Sequence, residues 1–171
     1  MTADAHQRSL VLRAQSGDRE AFDALLAEVA PPLLRYVTRV TGDAAMAEDA
    51  VQETLIAIVR KIAWLQDASL FRAWAYRIAS REAFRLVRKR RRYVEPVEEL
   101  VSLEDPTDPW QRERLLASLE RLSPASRAVV TLHYLEEMPL GDVAAVLDVP
   151  LGTVKSRLSY GLVQLRKENI P

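Results

Sequence analysis

The chain has 171 residues and no cysteine, two histidines and five glycines. Without cysteine there is no disulfide, no thiolate metal site and no cysteine nucleophile. A reducing cytoplasm fits that usage. His6 and His133 stand far apart, and neither belongs to a ligand-spaced cluster. No glycine-rich phosphate loop is present. No apolar run reaches the roughly 18 residues of a membrane helix, so no membrane insertion is expected. The opening MTADAHQRSL lacks the basic start and apolar core of a secretory signal. These absences argue against an enzyme, and no cofactor and no metal are expected.

Net charge is missing too, with 24 basic and 24 acidic side chains. The distribution is far from even. Residues 1–67 carry a net −3, residues 68–92 a net +8, residues 93–110 a net −6 and residues 111–171 a net +1. Binding follows local potential rather than the total. Charge separated this sharply suggests distinct partners for distinct segments.

The basic segment centres on residues 69–92, SLFRAWAYRIASREAFRLVRKRRR, which contain neither proline nor glycine. Ser69 reads as an N-cap. Phe71, Trp74, Ala75, Ile78 and Leu86 recur at helical spacing and define a buried face. Arg77, Arg81, Arg85 and Arg88 stack along another face, three or four residues apart. Such like charges repel, and a polyanion lying along them relieves the repulsion and releases counterions. The alternative is a solvated basic face.

A first helix is expected over residues 4–16, with Leu10, Val11 and Ala14 inward. A second starts near Arg19, buries Phe22, Leu25, Leu26 and Val29, is bent or interrupted at Pro31-Pro32, and resumes through Leu33, Leu34, Tyr36, Val37 and Val40. A third is expected over 44–65, with Ala47, Ala50, Val51, Leu55, Ile58, Ile62 and Leu65 as its inner stripe. Asp49, Gln52 and Glu53 share an outer face, with Glu48 beside it. No nucleophile or cleft accompanies these carboxylates, so a docking face for a basic protein fits better than catalysis. Trp64 closes this helix next to the basic segment, where a base can stack on its ring while arginine meets phosphate. A core tryptophan is the plainer alternative.

Residues 93–110 hold three prolines, six acids and no basic residue, and read as a flexible linker. The acidic stretch, with Glu95, Glu98, Glu99, Glu104 and Asp105, could fold back over the arginines or serve simply as a spacer. A second helical unit starts near Gln111 with Leu115, Leu116, Leu119 and Leu122 on one face. Ser123-Pro124 is an N-cap followed by proline at the first helical position. That helix runs through Leu135. A short helix over 140–147 with Val143, Ala144 and Leu147 inward, the turn Asp148-Val149-Pro150, and a helix to about Lys167 burying Leu151, Val154, Leu158, Leu162 and Leu165 complete a helix-turn-helix. Thr153, Lys155, Ser156, Ser159 and Tyr160 point outward from its second helix. The fold class is all-α: two small helical domains joined by an acidic flexible linker, the second a helix-turn-helix.

Four stretches in order resemble an alternative sigma factor of the extracytoplasmic-function (ECF) group, within the sigma-70 family of bacterial RNA polymerase. AEDAVQETL at 47–55 is similar to the core-polymerase-binding segment and SLFRAWAYRIA at 69–79 to the −10 segment. Residues 119–158 are similar to the −35-binding domain, and the acidic linker lies between. The resemblance implies three parts: sigma domain 2 over 1–92, a linker over 93–110 and sigma domain 4 over 111–171. It implies that Glu48, Asp49, Gln52 and Glu53 dock on the clamp coiled coil of the polymerase large subunit. It places Trp64, Arg72, Arg77, Ser80, Arg81, Arg85 and Arg88 on −10 DNA, and Thr153, Lys155, Ser156, Arg157, Ser159 and Tyr160 on −35 DNA. The implied function is promoter-specific initiation with core RNA polymerase, recognition of both elements and help with melting, in the cytoplasm. Family members are often held inactive by an anti-sigma factor, which is therefore a further expected partner. Where the family often has asparagine in the −10 helix this chain has Arg81, and after Arg157-Leu158 it reads Ser159-Tyr160-Gly161 rather than a basic run. The rival reading is a stand-alone helix-turn-helix transcriptional regulator.

Overall fold

The computed structural model describes residues 3–91 and 119–167. The linker, its acidic residues, Leu115 and Leu116, and Arg92 lie outside the described residues. Within them all regular structure is helical. The first unit comprises α1 (Ala3–Gln15), α2 (Arg19–Thr41), α3 (Ala44–Lys61) and α4 (Phe71–Arg91). The second comprises α5 (Pro124–Val130), which continues as a wider turn over Thr131–Leu135, then α6 (Leu140–Leu147) and α7 (Leu151–Lys167).

Local chemistry sets these boundaries. Asp18 caps α2 by accepting from the Ala21 amide at 3.0 Å, and Asp43 caps α3 by accepting from the Met46 amide at 3.0 Å. Between them Gly42 ends α2 at φ +67°, a left-handed conformation that favours glycine. Ser123 caps α5 through the Ser126 amide at 3.2 Å, with Pro124 in the first turn. Asp148 ends α6 at φ 57°, making the turn of the helix-turn-helix.

Several expectations need correction. Pro31 and Pro32 do not interrupt α2, which runs through them as one helix. Proline costs a helix one amide hydrogen bond and a steric clash, but burial of Val29, Leu33, Tyr36, Val37 and Val40 on both sides holds the helix together. Leu34 is on the outside of α2, and Leu151 on the outside of α7. The helix expected over 44–65 ends at Lys61 and tightens into a 3-10 turn over Ile62–Trp64. Ser69 does not cap α4. It lies inside a 3-10 turn over Ala68–Leu70 whose cap is Asp67.

The core of the first unit is built on α4. Phe71, Ala75, Tyr76, Ala79, Ala83 and Val87 are all buried. Tyr36 on α2 and Tyr76 on α4 meet edge-to-face with ring centroids 5.3 Å apart. Their buried polar ends are satisfied. The Tyr36 hydroxyl and Ser80 Oγ lie 2.7 Å apart, and Ser80 Oγ donates to the Tyr76 carbonyl at 2.7 Å. Burial pushes both phenol pKa values well above the ordinary tyrosine range. α2, α3 and α4 pack on one another, α5 packs on α7, and α4 also packs on α6. The buried side chains of the two units form one continuous cluster.

In the second unit α7 crosses α5 at Gly161. A Cβ built there would stand 3.1 Å from Val130 Cγ2 and 3.5 Å from Leu122 Cδ1. Gly161→Leu is expected to overpack this crossing and lower unfolding stability by about 1–3 kcal/mol, read from urea unfolding of the full chain.

Candidate nucleic-acid and partner interfaces

The rotation of α4 decides what its polar residues can touch. With Tyr76, Ala79, Ser80 and Ala83 turned inward, Arg81, Arg85 and Arg88 are exposed and Arg77 is half-exposed on the opposite side. The expected stripe is therefore present. Two residues do not belong to it. Ser80 is 2% exposed with its hydroxyl engaged, so it is a core residue and not a surface contact. Arg72 lies about 140° around the helix from Arg77 at 100° per residue. Its guanidinium sits 5.7 Å from the Tyr76 ring centroid and donates to the Glu136 carbonyl at 2.5 Å.

The stripe is not uniformly free. Arg77 and Arg81 stand 3.4 and 3.5 Å from the two carboxylate oxygens of Asp148. Arg85 pairs with Glu82 on its own helix at 2.8 Å, and that hydrogen bond raises the arginine pKa further. Arg90 reaches Asp43 at 3.8 Å.

Leading into α4, the loop over 62–70 is held by its own hydrogen bonds. Gln15 Nε2 on α1 donates to the carbonyls of Ile62 and Leu65 at 2.8 and 2.7 Å. Asp67 accepts from the Ser69 amide at 2.9 Å and from Ser69 Oγ at 2.6 Å. Thus anchored, the loop presents Trp64 at 77% exposure and Leu70 at 56%. Trp64 is a surface residue, and the core alternative fails. A groove of about 740 Å³ meets the end of the loop at Ala68 and Leu70 and is lined also by Arg8, Leu12, Ala73 and Met138.

On α3, Glu48, Asp49, Gln52 and Glu53 are all exposed. Val59, seven residues beyond Gln52 on the same face, is 50% exposed and adds an apolar element that periodicity alone did not single out. Ala50, Thr54 and Ile58 bury the opposite side against α2 and α4. The acidic face and the arginine stripe thus belong to two helices packed on each other.

In α7, Lys155 is exposed, while Thr153, Ser156, Arg157, Ser159 and Tyr160 are partly exposed along the same helix. Ser156 Oγ bonds back to the Thr153 carbonyl at 3.0 Å. Val154, Leu158 and Leu162 hold the helix to the core. His133 is a satisfied, half-buried residue whose Nδ1 lies 2.8 Å from the Met138 carbonyl. Among the described residues no cluster of three or more His, Asp or Glu side chains is placed to hold a metal ion.

Comparison with known proteins fits this layout. The sigma-70 region 2 family matches residues 25–93, and the sigma-70 region 4 family matches residues 118–167. The RNA polymerase sigma-H factor of Pseudomonas aeruginosa is 30% identical over 175 residues, covering 92% of this chain and 91% of that protein. The ECF RNA polymerase sigma-E factor of Haemophilus influenzae is 32% identical over 181 residues, covering 92% of each. Among solved structures, the sigma factor RpoE of Bartonella quintana, in complex with the anti-sigma factor NepR, superposes with a TM-score of 0.67 at 26% identity, over 85% of this chain and 94% of that one. The chain belongs to the sigma-70 family, in its ECF group. It is an alternative sigma factor, a regulatory initiation factor that directs promoter-specific transcription.

The loop anchor carries a pH signature. The Ser69 hydroxyl and then its amide hold the Asp67 carboxyl below the usual carboxylate range. A depressed folded-state pKa contributes stability above the unfolded value of about 3.9 and loses it as pH falls through the folded value. Asp67→Ala is therefore expected to lower the melting temperature at neutral pH, and the gap to wild type is expected to narrow in acid as pH falls through the lowered folded-state value.

Proposed function

We propose a division of labour for this sigma factor. Residues 1–92 bind core polymerase and the −10 element, residues 93–110 link, and residues 111–171 read the −35 element. The observation that carries this reading is the pair of oppositely charged faces on α3 and α4, both exposed, on two helices that pack on each other.

Glu48, Asp49, Gln52 and Glu53 form a charged rim beside half-exposed Val59. That composition, an apolar patch edged by charge, suits docking on a basic helical surface of the polymerase. Reversing Asp49 and Glu53 to lysine is expected to abolish co-elution with core polymerase on gel filtration. Undiminished co-elution would contradict the assignment.

Arg77, Arg81, Arg85 and Arg88 hold the backbone of the opened −10 strand, and Trp64 stacks on an unpaired base. Capturing a base offsets the cost of opening the duplex, about 1–2 kcal/mol per step of lost stacking. With a fluorescent base analogue in the melted region, the holoenzyme carrying Trp64→Ala or Arg85→Ala is expected to give a smaller signal rise than wild type. Equal rises would remove these residues from melting.

Lys155, Ser156 and Ser159 read base edges in the major groove, with Thr153, Arg157 and Tyr160 toward the backbone; a good base contact is worth roughly 1–3 kcal/mol of discrimination. The protein works in the cytoplasm, without cofactor and without catalysis of its own. The solved relative bound to NepR favours a further partner: an anti-sigma factor that holds this chain away from polymerase.

A further inference from the structure

The turn that carries Trp64 is poorly held by its own side chains. Ala63 and Trp64 are exposed, and burial falls to Ile62 before them and Ala68 after them. The Leu65 amide closes the turn on the Ile62 carbonyl at 3.1 Å. Further support comes from a residue 47 positions earlier. Gln15, the last residue of α1, donates from Nε2 to the Ile62 carbonyl at 2.8 Å and to the Leu65 carbonyl at 2.7 Å. Those carbonyls bracket Ala63 and Trp64, so one side-chain amide clasps both ends of the turn.

The acceptors dictate the kind of donor. Two carbonyls converging on one atom need two protons there, and the glutamine NH2 has two, with no charge to desolvate. They also fix which way round the amide lies, since its oxygen has no donor to meet on that side. Gln15 is itself held in place. Just beyond it the chain reverses, with Ser16 Oγ donating to the Arg13 carbonyl at 2.7 Å and Arg13 Nε donating to Asp18 Oδ2 at 2.8 Å. α1 packs on α2 and on the turns over 62–64 and 68–70, and α2 packs on α4. The backbone under Trp64 is thus tied to the same bundle that carries the arginine stripe. The tie comes from outside residues 25–93, the stretch that matches the region 2 family.

We propose that Gln15 is a positioning residue for base capture: by clasping the turn it sets where the Trp64 ring stands relative to the stripe, and so which nucleotide of the opened strand is stacked. The proposal rests on the reading of Trp64 as the stacking residue. An exposed ring on a loose turn has to be ordered by the strand at the moment of binding, and a clasped turn removes that cost. With phosphates held on arginine and the ring at a fixed span from them, one base fits. Once the clasp is lost, neighbouring bases compete for the ring, so the choice of base blurs while the strand still binds.

The test uses the full chain with Gln15→Glu, which keeps the size and turns a lone pair toward both carbonyls, and Gln15→Met, which keeps the length and removes the donor. In the free protein, solvent exchange of the Leu65 amide is expected to be roughly tenfold faster in both variants. Exchange in α2, α3 and α4 is expected to match wild type, which shows that the bundle is intact. In holoenzyme on promoter DNA selected from a random pool, a fluorescent base analogue is placed at each −10 position in turn. Wild type is expected to give its largest rise at one position, lost in Trp64→Ala. Both Gln15 variants are expected to lower that rise about threefold or more and spread it to the neighbours, with co-elution with core polymerase unchanged. A Leu65 amide as protected in both variants as in wild type would overturn the clasp. Faster exchange with the wild-type fluorescence pattern, still lost in Trp64→Ala, would overturn the positioning role alone. A wild-type pattern that survives Trp64→Ala would overturn the stacking reading beneath it.

Discussion

The rotation of α4 about its own axis is the constraint on which the rest depends. A helix carrying basic side chains on several sides could present any of them. Here Tyr36, Tyr76 and Ser80 interlock through one edge-to-face contact and two buried hydrogen bonds. Turning the helix would break the Tyr36–Ser80 bond in the interior, where an unsatisfied polar group costs about 1–3 kcal/mol. It would also drive Arg77 and Arg81 into the core. The buried polar cluster thus sets the direction of the charges on the far side. The same packing fixes α3 against α4, so the acidic face that suits polymerase and the basic face that suits DNA cannot rotate into each other.

Much of this was legible because the helices are amphipathic and capped. Asp18, Asp43 and Ser123 sit where capping chemistry requires them, and the stripe of Arg77, Arg81, Arg85 and Arg88 follows from spacing alone. Ser80 was misplaced because serine gives periodicity no signal. The recurrence of Ala75, Ala79 and Ala83 every fourth residue was the available clue to a close-packed face including Ser80 and Tyr76. Pro31 and Pro32 do not interrupt α2 because local propensity lost to the apolar residues around them. Glu136 and Asp148 could not be found from pattern at all. Glu136 shares its turn with Glu137 and Asp148 stands alone; the contacts of both arise from the docking of one unit on another, which periodicity within a helix does not encode.

Zero net charge takes on a physical sense in this arrangement. A surface made to hold a polyanion is a liability when no promoter is present, because it attracts any nucleic acid. Acids supplied by the same chain neutralise part of it without weakening it permanently, since pairs at the surface exchange readily with stronger competitors. The strongly exposed Trp64 and Leu70 lie at the entry to the same helix. Large apolar side chains left in water mark surfaces that await a partner. Binding surfaces in this protein are therefore prepared in advance.

The central claim is that α3 faces the polymerase while α4 faces DNA. The direct measurement is site-specific photocrosslinking in holoenzyme bound to DNA selected from a random pool, with the photoreactive residue at Gln52 or at Arg85. The account requires Gln52 to crosslink to polymerase and not to DNA, and Arg85 to crosslink to DNA and not to polymerase. Crosslinks from Arg85 to polymerase with none to DNA, or from Gln52 to DNA, would contradict it.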